Sequence, residues 1–468
     1  MKPLILWILF PVLFLATCIH SHAQTSTKAH GNWSGKLQLP TGTIEIIFMI
    51  SEDENGSLSS KLDVPVQGAK DVPVSKTLAT ADSLTLTVDL IVGKFTGKFE
   101  NDTLISGTWC QRGMNLPLTL KKTATVTEIK RPQTPRPPFP YLTEDVEYVN
   151  PVSGLKLAGT LTLPANKKNY PAVILISGSG AQDRDETIFE HRPFLVIADF
   201  LTRHGIAVLR VDDRGVGGSE GNIREATSED FAGDVLAGID FLKTRKEINK
   251  NKIGLIGHSE GGLIAPIVAS KSKDVVFIVL LAGPGINGEQ ILYKQNDLSL
   301  SAAGMGQEII DKNRKLQKTI FDIILNEKDS TKQIDRLQRT YSGGVYPMMN
   351  DNQKKAIDAR VAAVNTPWFR FFLTYDPAPT LTKVACPVLA LNGSKDVQVP
   401  ADENLEAIEK ALSEGGNKHF KILKPENLNH LFQHCKTGAI SEYAEIEETF
   451  SPEILELITE WILKTCSG

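Results

Sequence analysis

The stretch "GHSEGG", residues 257–262, sets Ser259 midway between Gly257 and Gly261. The apolar residues Ile253, Leu255 and Ile256 before it read as a buried strand, and 263–269 reads as a buried helix. A strand that runs straight into a helix must bend sharply. The positions two residues either side of the apex then have no room for a Cβ, which is where the glycines stand. Such a bend would hold the Ser259 hydroxyl exposed as a nucleophile. A serine hydroxyl is weak near neutrality and needs a base for its proton. The base in turn needs a carboxylate to fix its tautomer and steady its charge. Downstream, "PVLALNGSKDVQVP" runs a buried strand into a turn holding Asp396, and "HFKIL" is followed by "PENLNHLFQH" with His430. Each lies just beyond a strand end, 137 residues after Ser259 and then 34 residues further on.

Acyl transfer also needs two N–H donors aimed at the developing oxyanion. The amide of Glu260, directly after the nucleophile, is one candidate. The loop "SGSG", 177–180, follows an early strand and offers the other, with Ser179 first and Gly180 beside it. As a phosphate cradle the same loop fails, because "SGSGAQ" lacks both the Gly-x-Gly-x-x-Gly register and a Lys-Ser/Thr ending. Asp402 and Glu403 rival Asp396 as the acid, but they follow Pro400 and open a helix. His434, with Cys435, stands one helical turn after His430 and invites a metal reading, which no local carboxylate completes. His258, beside the serine on the bend, points away from it and reads as a packing residue. No cofactor and no metal are expected.

These groups need a frame. Apolar strand candidates at 172–176, 207–211, 252–256, 275–281 and 387–391 alternate with helical stretches such as 194–203 and 230–244. That alternation predicts a mostly parallel sheet with helices on both faces. About a hundred residues between Gly283 and Pro387 lack core strands and are helical in pattern. Inserted between two strands, they would rise above the strand ends as a lid, about 285–380, where such sheets bind ligands.

Residues 24–125 differ. Short alternating runs such as "TIEIIFMI" and "SLTLTVDLIV" are broken by turn signals, predicting a small all-β barrel or sandwich. The segment "KRPQTPRPPFP", 130–140, holds five prolines in eleven residues and reads as a stiff linker within 126–142, ahead of a second domain at 143–468. Residues 1–23 carry a basic start, an apolar run and a small-x-small site, a secretory signal with cleavage before Gln24 and a secreted or periplasmic destination. Leu15-Ala16-Thr17-Cys18 offers a rival reading as a lipid anchor at Cys18. The apolar run is too short for a stable membrane span.

With 41% hydrophobic and 23% charged residues the chain has an ordinary globular composition. Its net charge of −4, or −5 once Lys2 leaves with the leader, gives nucleic acid no electrostatic footing. Cys110, Cys386, Cys435 and Cys466 follow the leader, and their spacing chooses no pairing. No feature fixes an oligomeric state.

Taken together, "VDDRGVGGSEG" (211–221), "GHSEGG" (257–262), "PWFRFFLTYDP" (367–377) and "LNGSKDVQVP" (391–400) resemble the bacterial α/β-hydrolases grouped with serine aminopeptidases and carboxylesterases. One branch of these carries a β-rich N-terminal domain on an exported chain. The resemblance covers about 143–465 and implies an α/β-hydrolase fold with a helical lid. It implies a triad of Ser259, Asp396 and His430, an oxyanion hole of the amides near Ser179 and Glu260, and a structural role for Asp213 and Arg214. Ser177-Gly178 departs from the His-Gly of many relatives. The substrate expected is a small ester or peptide-like molecule. Esters of short or medium acyl chains are favoured, since an alkoxide leaves without the well-aligned protonation an amine requires. An aminopeptidase would need a carboxylate for the substrate ammonium, with Glu260, Asp183 and Asp185 as candidates. A binding protein that kept the fold without catalysis is the third class.

Overall fold

The computed structural model describes residues 27–39, 42–65, 69–111, 114–124, 130–165 and 169–467. Residues 1–23, expected to be a secretory signal, and Cys18 among them lie outside the described residues. The chain divides into two compact units, one drawn from residues up to 126 and the other made up chiefly of residues 127–468.

Among the described residues, the first unit is one nine-stranded antiparallel sheet. Its strands are β1 (Gly31–Leu39), β2 (Gly42–Glu52), β3 (Leu58–Val64), β4 (Ala69–Pro73), β5 (Lys76–Ala79), β6 (Ser83–Val88), β7 (Gly93–Asn101), β8 (Leu104–Gln111) and β9 (Met114–Thr123). They run in the order β4-β3-β2-β1-β9-β8-β7-β6-β5. The sheet curls, because the Thr77 hydroxyl of edge strand β5 donates to Ser60 of β3 at 2.8 Å. Of the two architectures expected, the structure therefore takes the barrel-like one. Period-two alternation gives the curled sheet its apolar interior: Leu84, Leu86 and Val88 of β6 all point inward and are fully buried. Trp33 and Trp109 lie in the core with Phe48 and Phe95, their burial dictated by the same alternation.

The second unit holds an eight-stranded sheet among the described residues. Its strands are β10 (Leu142–Val149), β11 (Lys156–Leu163), β12 (Tyr170–Ile176), β13 (Ala207–Val211), β14 (Ile248–His258), β15 (Val275–Leu281), β16 (Val388–Leu391) and β17 (Phe420–Leu423). The order is β10-β11-β13-β12-β14-β15-β16-β17, antiparallel through β10, β11 and β13 and parallel from β13 onward. Helices α2 (Ser228–Thr244), α3 (Glu260–Lys271) and α10 (Ala401–Glu414) cover one face, and α1 (Pro193–Arg203) and α11 (Pro452–Ser467) the other. Strand β12 shows why its sequence is apolar without a break. Ala172, Ile174 and Ile176 enter one core while Val173 and Leu175 enter the other. Helix α2 starts where Thr227 and Asp230 form a reciprocal capping box.

Between β15 and β16 the chain leaves the sheet for a helical insertion, α4 (Gly288–Ala302), α5 (Gln307–Asn326), α6 (Ser330–Ser342), α7 (Asp351–Val364), α8 (Pro367–Thr374) and α9 (Ala378–Leu381). It has its own small core of Phe321, Ile324, Leu337, Val361 and Leu373. The proline-rich segment lies along the second unit. Arg131 donates to the carbonyls of Phe189, Ala444 and Ile446, and Gln133 bonds the backbone of Thr449 and Phe450. Cys110, Cys386, Cys435 and Cys466 are unpaired, and among the described residues no helix is long and apolar enough to cross a membrane.

Candidate active site

Ser259 is the hinge between β14 and α3, at φ 53° and ψ −116°, a conformation that costs an L-residue roughly 1–3 kcal/mol. The bend survives because two glycines let backbone meet backbone. A Cβ on Gly257 would stand 2.0 Å from the Gly261 carbonyl oxygen, and one on Gly261 would stand 2.0 Å from that of Ile176. Gly261→Ala is therefore expected to lower stability by on the order of 3 kcal/mol, read as a fall in the urea midpoint. An unchanged midpoint would mean that the glycines do not hold the bend.

Asp396 follows β16 and His430 follows β17, and the two meet: His430 Nδ1 lies 2.7 Å from Asp396 Oδ2. Asp396 is aimed by its own turn, since Oδ1 accepts the N–H groups of Gln398 and Val399 at 2.8 and 2.9 Å. Both side chains are buried. Asp402 and Glu403 stand on α10 and pair instead with Lys424 and Lys294, each at 2.6 Å. His434 is exposed, between Glu448 and Glu453 at 2.9 Å each, away from the Asp396–His430 pair. Among the described residues no three side chains gather as a metal site.

The loop after β12 packs on the serine, because a Cβ on Gly178 would fall 3.2 Å from that of Ser259. The Gly178 N–H is committed to Glu186 Oε1 at 2.7 Å. The next amide, that of Ser179, is left as the loop's candidate donor, and the Glu260 amide lies in the first turn of α3, where helix N–H groups lack intrahelical partners. Ser177 donates its hydroxyl to Asp213 Oδ1 at 2.8 Å, and Gln182 N–H meets Oδ2 at 2.9 Å. Burial pushes the Asp213 carboxyl up to about 7. Those two donors oppose the rise, and the charges of Glu260 and Glu186 reinforce it. Arg214 holds Asp234 at 2.6 Å, which ties the same turn to α2.

The Glu260 side chain turns away from its amide and into the protein. It accepts from Ser228 Oγ at 2.6 Å and from Trp368 Nε1 of α8 at 2.7 Å, and burial raises its pKa against those two donors. A cavity lined by Ser177, Gly178, Asp213, Phe231, Glu260 and Ile264 opens beside the loop. Asp183 and Asp185 are spent locally. The first accepts from Asp185 N–H and from Thr187, and the second pairs with Arg210.

His258 is buried and packs against the His430 ring, as expected, and it is hydrogen-bonded as well: its Nδ1 lies 2.8 Å from Glu186 Oε1 and its Nε2 lies 2.9 Å from the His430 carbonyl oxygen. Glu186 escaped the sequence reading altogether. The signal for it was His258 itself, because an imidazole at the end of a buried strand requires partners for both nitrogens.

The family described as X-Pro dipeptidyl-peptidase (S15 family) matches residues 153–429, a span that includes Ser259 and Asp396 and stops one residue short of His430. Esterase EstD of Thermotoga maritima is 26% identical over 318 residues, 66% of this chain and 66% of EstD, so the match spans just under two thirds of that relative. Among solved structures, the Pyrococcus furiosus esterase Pf2001 is 17% identical with a TM-score of 0.43, over 74% of this chain and all of that one. Est1E from Butyrivibrio proteoclasticus, solved with ferulic acid bound, is 20% identical with a TM-score of 0.41, over 69% of this chain and all of that one. With a family match across more than half of its length, this protein belongs to the family described as X-Pro dipeptidyl-peptidase (S15 family).

Proposed function

We propose that the protein is a carboxylesterase for short or medium acyl esters, working through an acyl-enzyme on Ser259. The observation that carries the reading is the buried Asp396–His430 hydrogen bond of 2.7 Å. It is supported by the strained strand-to-helix turn at Ser259, whose neighbour His258 lies ring to ring with His430 at 4.7 Å. Asp396 holds the His430 proton on Nδ1, leaving Nε2 to take the proton of Ser259 Oγ as it attacks the ester carbonyl. The tetrahedral oxyanion forms against the amides of Ser179 and Glu260. His430 then protonates the departing alkoxide, and water, activated by the same imidazole, releases the acid.

The family description speaks for an amide bond, and EstD's name for an ester. Three carboxylates were candidates to anchor a substrate ammonium. Asp183 is engaged within its loop, Asp185 pairs with Arg210 of β13, and Glu260 already accepts from Ser228 and Trp368. That favours the ester. The test compares p-nitrophenyl acetate and butyrate with aminoacyl and Xaa-Pro p-nitroanilides. A higher kcat/KM on the esters is expected. A higher kcat/KM on an anilide, lost in Glu260→Gln, would make the protein a peptidase.

A further inference from the structure

Glu186 stands in the loop between β12 and α1 at φ 52° and is 4% exposed. One of its oxygens, Oε1, receives both the Gly178 N–H at 2.7 Å and His258 Nδ1 at 2.8 Å. The other nitrogen of that ring faces the His430 carbonyl at 2.9 Å. A neutral imidazole has one N–H and one lone pair. Here both nitrogens face acceptors, a carboxylate and a carbonyl, so only a ring carrying both protons satisfies the two contacts. Burial opposes that charge. The Glu186 carboxylate, its hydrogen bond, the His430 carbonyl and the charge of Asp396 outweigh it, and the pKa of the ring is raised. The ring also lies against that of His430, centroids 4.7 Å apart.

We propose that Glu186 and His258 form a buried carboxylate–imidazolium clamp that positions the reacting groups, fixing the oxyanion loop through Gly178 and the base loop through the His430 carbonyl. The proposal rests on the assignment of Ser259 and His430 above. Neither member touches the reacting atoms, so both are positioning residues. The charge matters because ionised hydrogen bonds are shorter and about twice as strong as neutral ones. It matters also because a neutral ring would set a lone pair against one of its two acceptors. Gly178 lies between Glu186 and Ser259, 3.2 Å from each when measured from a Cβ built on it, so a shift of the clamp reaches the nucleophile directly.

Glu186→Gln keeps an oxygen for both contacts and removes the charge. Its kcat on p-nitrophenyl butyrate is expected to fall about a hundredfold, the cost of misplacing reacting groups by about an ångström, with KM within about threefold. Its rate of reaction with a fluorophosphonate should fall by the same factor, and Glu186→Asp, which restores the charge, should recover about tenfold. A Glu186→Gln protein that turns over and labels within about threefold of wild type would overturn the clamp, given that expectation. A wild-type protein that does not label at all would instead overturn the assignment beneath it.

A second readout leaves Glu186 and His258 intact. Nitrogen-15 histidine spectra would be taken at about pH 8.5 on His434→Gln, which removes an exposed imidazole flanked by two carboxylates. One ring retaining both N–H protons is expected. A spectrum in which every ring has lost a proton would overturn the clamp.

Discussion

Ser259→Ala is expected to lower kcat on p-nitrophenyl butyrate by about 10⁴- to 10⁶-fold, the loss seen when a member of a catalytic serine unit is removed. The urea midpoint should stay close to wild type or rise. The hydroxyl makes no contact that holds the turn together, since the bend depends on Gly257, Gly261 and the Ser259 backbone, whose N–H donates to the Leu281 carbonyl at 2.8 Å. Alanine keeps that backbone and removes only the nucleophile. Steady-state kinetics beside urea titration separates the two effects. Activity within about tenfold of wild type would remove Ser259 from the mechanism, against the loss expected.

Asp396→Asn should fold and lose about 10⁴-fold in kcat, and here the local geometry decides the chemistry. The N–H groups of Gln398 and Val399 both point at Oδ1, so an asparagine in this turn must place its carbonyl oxygen there. Its NH₂ group then takes the place of Oδ2, 2.7 Å from His430 Nδ1. A donor facing Nδ1 forces the imidazole proton onto Nε2, and the ring can no longer accept the proton of Ser259. Asp402→Asn and Glu403→Gln, which break only the surface pairs with Lys424 and Lys294, should leave kcat within about threefold, because exposed ion pairs contribute little. A larger loss in either than in Asp396→Asn would move the acid to α10.

Features with a local cause are legible in the sequence. Strands β12 and β15 announce themselves as short unbroken apolar runs because both of their faces are buried. The turn at Ser259 is written in its two glycines, which no other residue could replace at such backbone contacts. Strands β10 and β11 were not singled out. In "LTEDVEYV" only Val146 and Tyr148 turn inward, and an edge strand exposed on one side looks like a polar loop. The choice between barrel and sandwich in the first unit depended on contacts between distant strands, such as Thr77 with Ser60. Glu186 was hidden for a related reason. It sits in "AQDRDETIFE", where a carboxylate reads as solvated, and its burial comes from a left-handed turn and from a histidine 72 residues further along.

If one serine, Ser259, carries the acyl group, a fluorophosphonate should mark it alone. Active protein is labelled to complete loss of esterase activity and the adduct located by peptide mass spectrometry. One phosphonyl group per chain is expected, on the peptide containing Gly257-His258-Ser259-Glu260-Gly261, and no adduct in Ser259→Ala. Loss of activity with the adduct on any other residue, or full esterase activity in a protein stoichiometrically modified at Ser259, would contradict that role of Ser259.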